Sequence, residues 1–229
     1  MNNNKELSPL VDEFRKIYND EASEKKQKIN PNTNAVIVLS GHAVYDKNGA
    51  PITWVSAENI VRIGFAIQVI RDILAKRLKK DEITNEDIRS SNLKLFLNGE
   101  SHKQKNILRT QLDDMKHIAQ AYNFPEDNIV PEDCLEDGVA NTKTQFNSIN
   151  SDPSLKDASH ITIITSDYHV PRVKRTAVKN LRNNISFDVL PAPQLEYDPY
   201  NVYPKVMGEV RRIIKYSNKG DISKVPTRE

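Results

Sequence analysis

Residues 161–176 read ITIITSDYHVPRVKRT. This stretch carries the hydroxyls of Thr165 and Ser166, the Asp167 carboxylate, the His169 imidazole and the guanidinium groups of Arg172 and Arg175. Those types suit the binding of an oxyanion beside an acid–base group. A guanidinium presents a fork of N–H donors to two oxygens at once, and an imidazole titrates near neutrality. His169 and Arg172 are spaced to face one ligand from the same turn of a helix. His169 is therefore the acid–base candidate, with Asp167 or Glu100 to orient it, and Arg172 is the candidate anion ligand. The competing description is a polar loop that leads into an ordinary surface helix.

The elements that must position these groups follow from hydrophobic pattern. The β-branched run 161–164 reads as a buried strand, and Pro171 suits the first turn of a helix. Strands are expected at 35–39, 93–97, 128–131, 161–165 and 185–190, with Pro131 marking a strand end. Helices are expected at 57–79 with Ser56 as N-cap, after Ser101 with a Ser101/Gln104 capping box, from near Asn141, at 171–182 and at 204–217. Such alternation predicts an α/β domain with a mostly parallel sheet of about five strands covered on both faces. Strands 35–39 and 161–165 should be near neighbours.

In a parallel sheet the loops after the strands share one edge, where ligands bind. That edge would collect Ser40, Gly41, His42 and Asp46, then Asn98, Gly99 and Glu100, then Glu132, Asn141 and Thr142, and finally Ser166, Asp167, His169, Arg172 and Arg175. Gly41 and Gly99 admit either a close ligand or a turn with positive φ. Asn141 and Thr142 open a helix, whose free N–H groups favour an anion, plain N-capping being the alternative. Glu100, Glu132, Asp167 and His169 could hold a divalent metal, but no H-E-x-x-H spacing supports one. The absence of G-x-G-x-x-G, of a P-loop and of G-x-S-x-G argues against a standard dinucleotide site, a P-loop nucleotidase and a serine-hydrolase elbow.

Composition narrows the class. The 33 basic and 31 acidic side chains nearly cancel, giving a net charge of +2 and no reason to expect a nucleic-acid partner. A single cysteine, Cys134, excludes an intrachain disulfide, and nothing near it suggests a lowered thiol pKa. No apolar run reaches the ~20 residues of a membrane span, and the N-terminus lacks the apolar core of a signal peptide. A soluble, cytoplasmic protein is the expectation. Residues 1–34 read as an N-terminal helix (5–20) and linker, 35–217 as one domain with a polar insertion at 80–92 and an extended loop at 191–204, and 218–229 as a polar, frayed tail.

The segments AVIVLSGHA, LFLNGES, NIVPED, ANT at 140–142 and ITIITSDYHVPR, together with Arg62 in the first long helix, resemble the YdcF-like family, which includes the SanA-like and ElyC-like envelope proteins. The resemblance spans roughly residues 35–190. Its most specific block, Thr-Ser-x-Tyr-His-x-x-Arg, is met by Thr165, Ser166, Tyr168, His169 and Arg172. It implies a Rossmann-like three-layer fold, a soluble branch without a membrane helix, and S-adenosylmethionine as a candidate ligand. Two family carboxylates are replaced by neutral groups, around Thr110-Gln111-Leu112 and Asn141-Thr142-Lys143-Thr144-Gln145.

These observations lead to a domain that binds a small anionic or nucleotide-like ligand. Catalytic candidates are His169, Asp167 and Glu100. Binding candidates are Gly41, His42, Arg62, Asn98, Gly99, Asn141, Thr142, Thr165, Ser166 and Arg172. The alternatives are a phosphate or pyrophosphate ester hydrolase, with or without a metal, and a non-catalytic interaction protein using the N-terminal helix and the loop 197–203.

Overall fold

The computed structural model describes residues 10, 12–14, 29–41, 44–48, 51–102, 109–136, 141–193 and 199–227. In chain order its elements are β1 (Ala35–Leu39), β2 (Val44–Tyr45), β3 (Pro51–Thr53), α1 (Ala57–Leu78), α2 (Asn85–Arg89), β4 (Lys94–Gly99), α3 (Gln111–Ala121), β5 (Ile129–Asp133), α4 (Thr142–Ser151), β6 (His160–Ser166), α5 (Val170–Asn180), β7 (Ser186–Ala192) and α6 (Pro199–Lys219). A short 3-10 turn, Asp167–His169, joins β6 to α5.

The five long strands are all parallel, in the order β5-β4-β1-β6-β7. The chain builds outward from β1 in one direction and then returns to build outward in the other. β1 and β6 are thus neighbours at the point where the order reverses, which is where an open α/β sheet forms its ligand crevice.

Strand alternation sorts the core into two layers. Val36 and Val38 of β1, with Leu95 and Leu97 of β4, pack under α1 and α3. Ala35, Ile37 and Leu39, with Phe96, Ile161 and Ile163, pack under α4 and α5. The result is a Rossmann-like three-layer sandwich. A smaller cluster joins Leu10 and Phe14 to Val210 and Ile213 of α6 and to Ile222. Leu10 and residues 12–14 are helical, and the rest of the expected helix 5–20 lies outside the described residues. Among the described residues no helix is long and apolar enough to cross a membrane.

Several elements differ from the pattern-based expectation. Ser101 does not cap a helix: its N–H and hydroxyl donate to the carboxylate of Asp133, at the end of β5. α3 starts instead behind Thr110, in a reciprocal capping box with Asp113. Gln104 lies outside the described residues. β5 runs through Pro131 rather than ending there, because it is an edge strand and a proline is tolerated where a missing N–H faces away from the ladder. The loop after β1 contains the antiparallel pair β2–β3. α6 begins before Pro204, at Pro199. The segment after α6 is not frayed: Ile222 is buried and the Ser223 N–H donates to the Arg175 carbonyl.

The insertion 80–92 is surface-borne but anchored. Ile83 and Ile88 enter the larger core layer. Fully buried Asn128 donates through Nδ2 to the carbonyls of Ile88 (2.9 Å) and Leu93 (3.1 Å), pinning α2 to the start of β4. Asn128→Ala removes the donor from two carbonyls at once and should cost about 1–3 kcal/mol. Urea denaturation would register this as a lower midpoint. An unchanged midpoint would mean that Asn128 contributes nothing net to stability.

Candidate functional site

A cavity of about 340 Å³ opens at the carboxyl edge of the sheet, flanked by the ends of β1 and β6. Of the sequence-derived candidates, Gly41, Arg62, Glu100, Asn141, Thr142, His169 and Arg172 line it. Asn98, Gly99, Thr165, Ser166 and Asp167 do not, and His42 lies outside the described residues. Arg175, expected at the same edge, turns to Glu13 and the Pro171 carbonyl instead.

Arg62 projects from α1 into the gap between the two strand ends. Its Nη1 donates to the Leu39 carbonyl (2.8 Å), and Nε and Nη2 donate to Ser166 Oγ (3.1 and 2.7 Å). Glu58, one turn earlier, supplies the counter-charge at 3.3 Å. Ser166 thus holds the arginine instead of meeting a ligand. Burial pushes the Glu58 carboxyl up, but Arg62, Lys205 and the Tyr168 hydroxyl outweigh it and keep the group below the usual carboxylate range. Tyr168 donates its hydroxyl to both Glu58 oxygens at 2.9 Å. Burial raises the phenol well above its ordinary value, with Arg62 opposing and Glu58 reinforcing, so it stays a neutral donor.

On the opposite wall Arg172 donates through Nη1 to Thr142 Oγ1 (2.6 Å) and through Nε and Nη2 to the two oxygens of Glu209 (2.5 and 3.3 Å). Glu209, from α6, is 1 % exposed, and Arg212 also reaches it at 2.7 Å. His169 completes the chain, with Nε2 3.4 Å from Thr142 Oγ1 and Nδ1 2.9 Å from Thr165 Oγ1. Thr142 and Thr165 thus hold the ring through its two nitrogens. Asp167, off the cavity wall, accepts the Tyr168 N–H at 2.6 Å.

The third wall is built by α3. Gln111 accepts the Glu100 N–H at Oε1 (3.0 Å) and donates Nε2–H to the Gly41 carbonyl (2.9 Å), clamping the loops after β1 and β4 together. A side chain with both a donor and an acceptor is required there, which a carboxylate is not. Burial raises the Glu100 carboxyl, with His102 opposing and Asp133 adding. Neither Gly41 nor Gly99 has the positive φ that a turn would require, and both are also packed closely. A Cβ on Gly99 would lie 2.9 Å from Gln111 Oε1, and one on Gly41 would lie 3.0 Å from Asn59 Oδ1. Among described glycines only Gly220 has positive φ. Asn98 points under α4 and donates to Ser148 Oγ (2.8 Å) and the Gln145 carbonyl (3.3 Å), away from the cavity. Cys134 lines the cavity, but burial first, then Asp133 and Glu100, push its thiol to about 12, so it is no nucleophile there.

The four residues considered as metal ligands do not converge: among the described residues no three His, Cys, Asp or Glu side chains group as a metal site would need. Glu132 faces Asp152 and Ser148 instead.

Further side chains fill the remaining wall. These are Ser40, Trp54, Gln145, Tyr168 and, from α6, Glu209, Arg212 and Tyr216. Trp54 is held by its N–H on Asp114 (3.2 Å) and its carbonyl on Asn59 Nδ2 (2.8 Å), and Asn59 Oδ1 accepts the Gly41 N–H (2.7 Å). Its buried indole Nε1–H meets no acceptor. That atom is sealed from the cavity, so Trp54 meets the cavity with its apolar ring and not with its donor. No known protein family, curated protein or solved structure matches this chain.

Two stability effects follow. Gln111→Glu puts a carboxylate against the Gly41 carbonyl and should cost about 1–3 kcal/mol at neutral pH. Most of that loss should vanish as the pH falls and the introduced carboxyl takes up a proton. Urea midpoints at several pH values test both parts, and a pH-independent difference would refute the carboxylate explanation. Separately, burial and the Asp152 carboxylate raise Glu132 from 4.5 to about 7. Between those values the folded chain keeps a proton that the unfolded chain has released, so this group's stabilisation is full below 4.5 and is lost as pH rises through 7. Melting temperatures of Glu132→Gln should exceed those of the parent increasingly between pH 5 and 8. Parallel profiles would contradict it.

Proposed function

We propose that this chain is a YdcF-like domain that binds a small anionic or nucleotide-like ligand in the cavity at the carboxyl edge of the sheet. The observation that carries this reading is the meeting of Arg172 with the N-terminus of α4 at Thr142. Asn141 caps the N–H groups of Lys143 and Thr144, while the Thr142 N–H has no acceptor among the described residues. A guanidinium and a free helix N–H beside one another form an oxyanion site. Glu209 occupies part of it, a carboxylate gripped by two arginines, as a ligand's anionic group would be. Trp54, Tyr168 and Tyr216 offer aromatic surface for the rest of a nucleotide-like molecule. S-adenosylmethionine, which the family resemblance suggests, combines a carboxylate with an adenosyl group and fits that description.

One observation favours the second reading, ester hydrolysis. His169 lies against the same threonine that meets Arg172, so an acid–base group sits beside the anion site.

Calorimetric titration with pyrophosphate and with S-adenosylmethionine tests the binding reading. Arg172→Ala should weaken the anion by roughly ten- to a hundredfold, the loss of a charged hydrogen-bond partner. Arg172→Lys should restore part of it, keeping the charge without the fork. Glu209→Gln should tighten binding, because it removes the competing carboxylate. Unchanged affinity in Arg172→Ala would overturn the assignment.

A further inference from the structure

The anion site lies in a wall shared by two cavities. A second cavity, of about 240 Å³, shares Asn141, Thr142, Arg172 and Tyr216 with the first, and Lys143 and Asp221 stand on its far side. It is smaller than a typical whole-ligand pocket, which suits it to one arm of a ligand.

Resting on the reading above, we propose that the ligand is a phosphodiester, with its linkage at Thr142 and Arg172 and one arm in each cavity. Two independent features point there. The first is topological. An anion at the shared wall can send substituents both ways, and a monoester, with a single substituent, leaves one cavity unused. The second is charge. Among the described residues the charged side chains lining the two cavities are Arg62, Arg172, Arg212 and Lys143 against Glu100, Glu209 and Asp221. The balance is one net positive charge. It matches a diester monoanion better than a monoester, which carries about −1.5 to −2 at neutral pH. Trp54, Tyr168 and Tyr216 line the larger cavity with aromatic surface and suit it to an arm with a flat ring, as in a nucleobase. The smaller cavity takes a short polar arm.

The experiment is calorimetry on the full chain with four probes: a dinucleoside monophosphate, the matching nucleoside monophosphate, glycerophosphoethanolamine and inorganic phosphate. The dinucleoside monophosphate should bind about tenfold or more tightly than the mononucleotide. The double variant Lys143→Gln/Asp221→Trp, which fills the smaller cavity and leaves the net charge unchanged, should bring the diester down to the mononucleotide level, and mononucleotide binding by the same variant verifies its fold. Trp54→Leu, which removes the flat ring, should weaken the dinucleotide and spare glycerophosphoethanolamine. Equal binding of the two diesters would support the class and assign recognition to the linkage alone. A mononucleotide that binds as tightly as the diester would overturn the diester inference and leave the anion site standing. If inorganic phosphate and the three esters all fail to bind, the anion reading beneath it falls as well.

Discussion

The whole carboxyl edge of this sheet hangs on one buried guanidinium. Arg62 is 2 % exposed, and leaving such a charge without partners costs several kcal/mol. Its partners are the last carbonyl of β1, the last hydroxyl of β6 and Glu58 of its own helix. By satisfying the arginine these groups fix the two strands at the point where the sheet order reverses. Glu58 then passes the constraint on, to the Tyr168 hydroxyl on the β6 side and to Lys205 of α6 at 2.7 Å. The crevice is therefore shaped by a charge network first and by loop conformation second.

The opposite pole is the Arg172–Glu209 pair. Its neutrality explains how a guanidinium can sit at a largely buried cavity wall. Together the two arginines give the cavity two differently committed cations. Arg62 spends its N–H groups on the backbone and on Ser166, so it acts as a strut. Arg172 is held by side chains alone, which can rearrange.

The sheet was legible because buried parallel strands are short β-branched runs between helical stripes, and β1, β4 and β6 follow that rule closely. The site was legible where chemistry coincides with the end of a strand or the start of a helix, as at Gly41, Glu100, Asn141, Thr142, His169 and Arg172. Simple alternation along β4 would have removed two candidates. It places Asn98 on the face of Phe96, under α4, and Gly99 on the face of Leu95 and Leu97, against α3. The same rule puts Ser166 on the face of Ile164, toward α1 and Arg62. Gln111 and Trp54 carry no motif, since their importance arises from a clamp and a place in the cavity wall that exist only after folding. Glu209, Arg212 and Tyr216 belong to an amphipathic helix whose apolar stripe says that it packs, not where.

That last helix makes the crevice a discontinuous one. Glu209 follows Arg172 by 37 residues, on α6 rather than α5, and Lys205 of the same helix reaches Glu58 of α1. Both arginine networks therefore close only when α6 is docked, and displacing that one helix would strip a charged partner from each wall at once.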